Sequence, residues 1–119
     1  MTGNSKNKIR IALDSMGGDF APVNEIQGAF LAYKEVPDSI DLELVFVGNQ
    51  NKINDVLAQV DLPKSAYSII HTDDVITMHD DPVSALRTKQ GSSLFVAAKL
   101  HSEGKADAFV SAGNTGAML

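Results

Sequence analysis

The sequence contains no cysteine. That excludes a disulfide framework, a thiolate nucleophile and any cysteine-based metal site, and it fits a reducing compartment. Positive charge is also scarce. Ten Lys and Arg stand against fifteen Asp and Glu, giving a formal net charge of -5 and a pI near 4.9. General nucleic-acid binding needs a basic face, so that class is set aside, although one local basic spot remains compatible with an anionic ligand. Long apolar runs are missing as well. The first, residues 9–13, is interrupted by Arg10 and is too short for a signal-peptide core or a membrane span. The Phe and Tyr residues fall on expected core faces or loop edges, not in a spacing for stacking bases. His71 and His79 share a polar loop with four aspartates, but no His pair stands at helical spacing, so the loop reads as solvated and not as a metal site.

What is present suits one globular domain with a real core: 119 residues, 44 % hydrophobic and 21 % charged. "MTGNSKN", residues 1–7, is expected to be a disordered tail, leaving 8–119 as a single α/β domain. Residues 9–13 read as a strand entering a Gly-Gly turn. A helix follows, with Pro22 at its first position, Val23, Ile26, Phe30 and Tyr33 on one face, and Pro37 at its end. Residues 40–48 read as a strand buried on both faces. Residues 51–60 read as a helix with Ile53, Val56, Leu57 and Val60 inward, and 67–71 as a third strand. A polar loop over 71–81 precedes a short helix at 82–87. Ser92 or Ser93 caps another helix whose inward residues are Leu94, Ala97 and Ala98, and "ADAFVS" is a fourth strand. Strands alternating with helices predict a three-layer, Rossmann-like, mostly parallel sheet flanked by helices on both faces.

Three segments carry chemistry. "SAGNTG" comprises Ser111, Ala112, Gly113, Asn114, Thr115 and Gly116 and lies between a strand and a helix start. Such a loop brings backbone N–H groups close to an anion, and Ser111, Asn114 and Thr115 add side-chain donors, so a phosphate or an acyl oxyanion suits it. The plainer alternative is a tight turn with Asn114 or Thr115 as a helix cap. No Gly-Lys-Ser/Thr follows, so the loop is not a Walker A motif. "LDSMGGD" lacks the glycine spacing of a dinucleotide fold. Within it, Gly17 and Gly18 make the turn. Asp14, at a strand end, either orients loop amides or holds a cationic side chain, and Asp19 either caps the next helix or faces a ligand. In "LRTKQGSS", Arg87 and Lys89 stand two apart ahead of Ser92 and Ser93 at a helix start. The arrangement suits phosphate oxygens, or is a solvated face.

Taken with "VFVGN", "VITMHDDPVSALR" and "GSS" in between, "IALDSMGGDFAP" and "ADAFVSAGNTGAML" resemble the bacterial phosphate acyltransferase family of phospholipid synthesis. The resemblance covers nearly the whole chain after residue 7 and implies an N-terminal portion of a longer protein. It further implies a fold similar to phosphate acetyltransferases and transfer of a fatty acyl group from acyl carrier protein to inorganic phosphate. The acyl phosphate so formed would feed a downstream glycerol-3-phosphate acyltransferase. A homodimer in the cytoplasm is implied, with no metal or organic cofactor and no nucleic acid, and peripheral contact with the inner face of the membrane stays open. On this reading Asp14, Arg87, Lys89 and Asn114 form the catalytic group. Gly17, Gly18, Asp19, Ser92, Ser111, Ala112, Gly113, Thr115 and Gly116 hold phosphate and substrate. The rivals are a coenzyme A-dependent phosphate acetyl- or butyryltransferase and a non-catalytic phosphate-binding module.

Overall fold

The computed structural model describes residues 7–77 and 79–113. Its centre is the segment with the longest apolar alternation-free run. Strand β2 (Ile40–Gly48) is buried throughout from Leu44 to Gly48, as expected for a strand covered on both faces. It pairs in parallel with β1 (Asn7–Asp14) on one side and β3 (Tyr67–His71) on the other; β1 also pairs in parallel with the short β4 (Ala108–Val110). The strand order is β3-β2-β1-β4, and the sheet is wholly parallel. Strand β1 begins at Asn7, one residue inside the stretch expected to be a tail, because Asn7 is in register with Ile40.

Side-chain alternation assigns the helices to faces. Leu13, Leu42, Leu44 and Phe46 point to one side, where Ile26 and Ala29 of α1 (Val23–Glu35) and Ile53, Val56 and Leu57 of α2 (Gln50–Leu57) complete a core. Ala12, Val45 and Val47 point to the other side and meet Ala97 of α4 (Ser93–Ser102). A shorter helix, α3 (Pro82–Thr88), joins α4 through Ala85 and Leu94, with Ile76 from the preceding loop. Three layers result.

Local sequence explains most helix starts. The Asn49 side chain accepts from the Lys52 N–H and opens α2 at Gln50; Asp81 accepts from the Ser84 N–H ahead of Pro82; and Ser92, not Ser93, accepts from the Phe95 N–H. Each supplies an acceptor to an otherwise orphaned first-turn donor. Three expectations shift. Helix α2 ends at Leu57, short of Val60, although Val60 still packs against the core. Pro22 stands just outside α1 instead of in its first position. Val23 is 43 % exposed, because α1 meets the sheet through Ile26, Ala29, Phe30 and Tyr33 and its first residue stands clear of that contact.

Candidate functional site

The connections from β1 to β2 to β3 move one way across the sheet; α3 and α4 then carry the chain back to place β4 on the far side of β1. The direction of winding therefore reverses between β1 and β4. In open parallel sheets this reversal leaves a crevice beyond the carboxyl ends of the two strands. Both glycine-rich segments emerge there.

Asp14, the last residue of β1, is fully buried. One of its carboxyl oxygens accepts from the Met16 N–H at 3.1 Å, and the other accepts from the Ser111 hydroxyl at 2.7 Å. Ser111 in turn accepts from the Gly113 N–H at 3.0 Å. A single side chain thus fixes both loops. The backbones approach closely: a Cβ on Gly17 would clash with the Asp14 carboxyl and lie 3.1 Å from the Gly113 Cα, and one on Gly113 would lie 3.3 Å from the Gly17 Cα. Of the two roles open to Asp14, orienting loop amides is the one observed. No described hydrogen bond uses the N–H of Gly17 or Ala112.

Ser111 was expected to donate to an anion, but its proton is directed to Asp14 instead. Asp19 was expected to cap α1 or to face a ligand. It is exposed and makes no cap, since α1 has no side-chain cap bond. Glu25 acts there instead. It lies in the first turn of α1 and its Oε2 accepts from the Gly18 N–H at 3.0 Å. Sequence reasoning passed over Glu25, although an acidic residue in a first helical turn is a known partner for N–H groups preceding the helix. Burial pushes the Glu25 carboxyl above its ordinary range, and the charge of Asp14 adds to that push, while hydrogen bonds from the backbone of Glu25 and Gly18 oppose it. Its other oxygen, Oε1, is buried without a partner among the described residues.

The basic segment is held elsewhere. Lys89 donates to the Val75 carbonyl at 3.0 Å and pairs with Asp80 at 2.9 Å. The Thr77 N–H, and after it Lys89, hold the Asp80 carboxyl below its ordinary value. Arg87 is exposed in the last turn of α3. Ser92 is buried and occupied in capping α4. These residues belong with α3 and α4, packed on the face opposite α1, and no described contact links them to the glycine junction. Asn114, Thr115 and Gly116 lie outside the described residues. Among the described residues no cluster of His, Asp and Glu is arranged to hold a metal.

A cleft of about 750 Å³ opens from the junction between α1 and the sheet. Gly18, Ser111 and Ala112 border it at the carboxyl edge, and Ile11, Leu13 and Leu44 form its floor. Neither Arg87 nor Lys89 lines it.

Fold and site together define an open parallel α/β protein with a glycine-built junction at its switch point. Residues 9–119 match the family model described as fatty acid synthesis protein, and the chain belongs to that family. The chain is 41 % identical over 111 residues to the phosphate acyltransferase of Dictyoglomus turgidum, covering 93 % of this chain and 32 % of that one. It is 42 % identical over 111 residues to the phosphate acyltransferase of Alkaliphilus oremlandii, with the same coverage. Identity to the phosphate acyltransferase of Streptococcus pyogenes serotype M5 is 46 % over 110 residues, covering 92 % of this chain and 31 % of the relative. The chain spans about a third of the length of these relatives, which bear out the resemblance drawn from the motifs.

Proposed function

We propose that the protein to which this sequence belongs transfers a fatty acyl group from acyl carrier protein to inorganic phosphate, yielding an acyl phosphate for phospholipid synthesis. The observation that carries the reading is the convergence of the two glycine loops at the sheet's switch point, locked by the 2.7 Å bond from Ser111 to Asp14. This is support from geometry for an anion site in a chain whose relatives are named phosphate acyltransferases.

The reaction asks little covalent chemistry of the protein. A phosphate oxygen bonds to the thioester carbonyl carbon, and the carbonyl electron pair moves onto oxygen. Collapse of that oxyanion re-forms the carbonyl and breaks the C–S bond. The departing thiolate, from a thiol of ordinary pKa about 8.5, takes a proton from water. Positioning of phosphate and stabilisation of the oxyanion are the larger demands. The 111–116 loop meets the first through backbone N–H groups, with Asn114 and Thr115 as side-chain donors. Asp14 is a positioning residue: it holds Ser111, and Ser111 holds the Gly113 amide. Gly17 and Gly18 form the facing wall with Asp19 at its rim. Arg87 and Lys89, beside Ser92 and apart from the glycine junction, offset charge on the carrier's pantetheine phosphate, which requires Lys89 to leave Asp80.

The reading includes a homodimer in the cytoplasm, a downstream glycerol-3-phosphate acyltransferase as consumer of the product, and peripheral membrane contact. No helix among the described residues is long and apolar enough to cross a membrane. The test incubates the whole polypeptide carrying this sequence with a long-chain acyl carrier protein thioester, with and without phosphate, and traps acyl phosphate as its hydroxamate. Phosphate-dependent trapping that falls at least tenfold in Asn114→Ala is expected. Turnover of coenzyme A thioesters alone would reassign the carrier, and phosphate binding with the thioester left intact would make the protein a binding module.

A further inference from the structure

The turn that carries Gly17 and Gly18 is tied to β2 as well as to Ser111. The β1–β2 ladder continues one step past the end of β1, with the Ser15 N–H donating to the Val47 carbonyl at 2.9 Å. From the other side of β2, the Thr72 N–H donates to the Gly48 carbonyl at 2.8 Å. The absent side chain of Gly48 would point the same way as that of Phe46, two residues earlier, toward the face covered by α1 and α2. That space is taken. A Cβ on Gly48 would lie 2.5 Å from the Cγ of Met16 and 3.0 Å from its Sδ, with the Ile53 Cδ1 at 3.3 Å. Among the described residues the glycine with a positive φ is Gly104, so the backbone at Gly48 does not itself call for glycine. Space does.

We infer that Met16 is a positioning residue for the junction: its side chain, seated in the notch that Gly48 leaves in β2, sets where Gly17 stands against Gly113. Met16 is half-buried and lies between the two residues that matter most there. Its N–H donates to one oxygen of Asp14, whose other oxygen accepts from Ser111. The residue after it, Gly17, is the one whose backbone approaches Gly113. A shift of Met16 therefore reaches both loops through its immediate neighbours. An unbranched thioether suits the notch, because it bends to fill an irregular gap. The consequence for phosphate rests on the acyl-transfer reading above, in which Gly17 and Gly18 form the wall facing it.

Gly48→Ala needs no left-handed backbone, so its effect comes from what the new methyl displaces. Gly48→Ala and Met16→Ala are made singly and together in the whole polypeptide, with Met16→Leu as the conservative variant. Acyl phosphate formation is followed at varied phosphate and varied acyl carrier protein thioester. On the wild-type background Gly48→Ala should raise KM for phosphate about fivefold or more and leave KM for the thioester within about twofold. On the Met16→Ala background the same methyl should change the phosphate KM by less than about twofold, because the group it would displace is gone. Met16→Leu should stay within about threefold of wild type. A role confined to stability would lower the folded fraction, and with it kcat, and leave both KM values unmoved. That pattern, an equal effect of Gly48→Ala on both backgrounds, or failure of Gly48→Ala to fold on both would overturn the inference. Failure to fold on the wild-type background alone would support it. A second readout needs no turnover: the Gly17 and Gly113 amide resonances should shift in Gly48→Ala, and should not when the same change is made on Met16→Ala. Those shifts, with no acyl phosphate formed by the wild type, would sink the reaction and keep the positioning role. Acyl phosphate formed as usual, with resonances and phosphate KM unmoved in Gly48→Ala, would keep the reaction and sink the positioning role.

Discussion

Replacing Ser111 with alanine removes one hydroxyl, and that hydroxyl serves both loops of the site. It donates to Asp14 at 2.7 Å and accepts from the Gly113 N–H at 3.0 Å. Asp14 is fully buried, so water has no ready access to replace the lost donor, and only the Met16 N–H, on the other carboxyl oxygen, remains. A hydrogen bond to a charged group contributes about 1.5–3 kcal/mol, and a neutral one about 1 kcal/mol. The Gly113 amide loses its acceptor as well, so Ser111→Ala is expected to cost about 2–4 kcal/mol in all. Asp14→Ala should cost more, because two donors lose their partner. The double variant separates the pair from its surroundings: the two single costs should exceed the double cost by about 2 kcal/mol. Urea unfolding of the whole polypeptide, followed by far-UV circular dichroism, reads the difference as a midpoint shift of about 1 M at an m-value near 2 kcal/mol/M. Additivity within about 0.5 kcal/mol would refute the reasoning, since residues joined by a short buried bond must be coupled.

Two further outcomes follow from burial and charge. Glu25 has a folded-state pKa raised by desolvation, so its folded form holds its proton to higher pH than the unfolded chain does. Stability should therefore fall as pH rises from the ordinary value of 4.5 through the raised one, then level off. Glu25→Gln keeps an acceptor for the Gly18 N–H and removes that step. Melting curves at several pH values should show the variant gaining on the wild type across this window, and a gap independent of pH would count against a desolvated carboxyl. At the centre of the sheet, Phe46→Ala deletes a fully buried ring in contact with Tyr67. A loss of about 3–5 kcal/mol is expected from chemical denaturation, and one under about 1 kcal/mol would show that the α1–α2 face is not the core.

Much of the architecture was readable along the chain because its causes are local. The uninterrupted apolar half of β2, the helical spacing of Ile26, Phe30 and Tyr33, and the acceptor at Ser92 act within a few residues of themselves. Their elements appear close to where those signals put them. Where local signals competed, the outcome depended on neighbours distant in sequence. Asp19 was as good a cap by sequence as any, but Glu25 reached the Gly18 amide and α1 began without a side-chain cap. Lys89 beside Arg87 read as part of an anion site or as a solvated face, and in the structure its amine bridges Val75 and Asp80 within the preceding loop. Polarity alone does not say which oxygen a lysine will find.

The sequence by itself determined that this is a parallel α/β chain, which segments are strands, and that two glycine-rich loops follow strand ends. It also carried the motifs by which the family is known. The tertiary structure alone decided that those loops meet. Asp14 and Ser111 are 97 positions apart, and nothing in the residues around either one specifies the other. They come together because the chain winds from β1 to β3, returns over the opposite face, and lays β4 against the free edge of β1. Strand order is fixed by which apolar faces the helices cover, a property of the whole core.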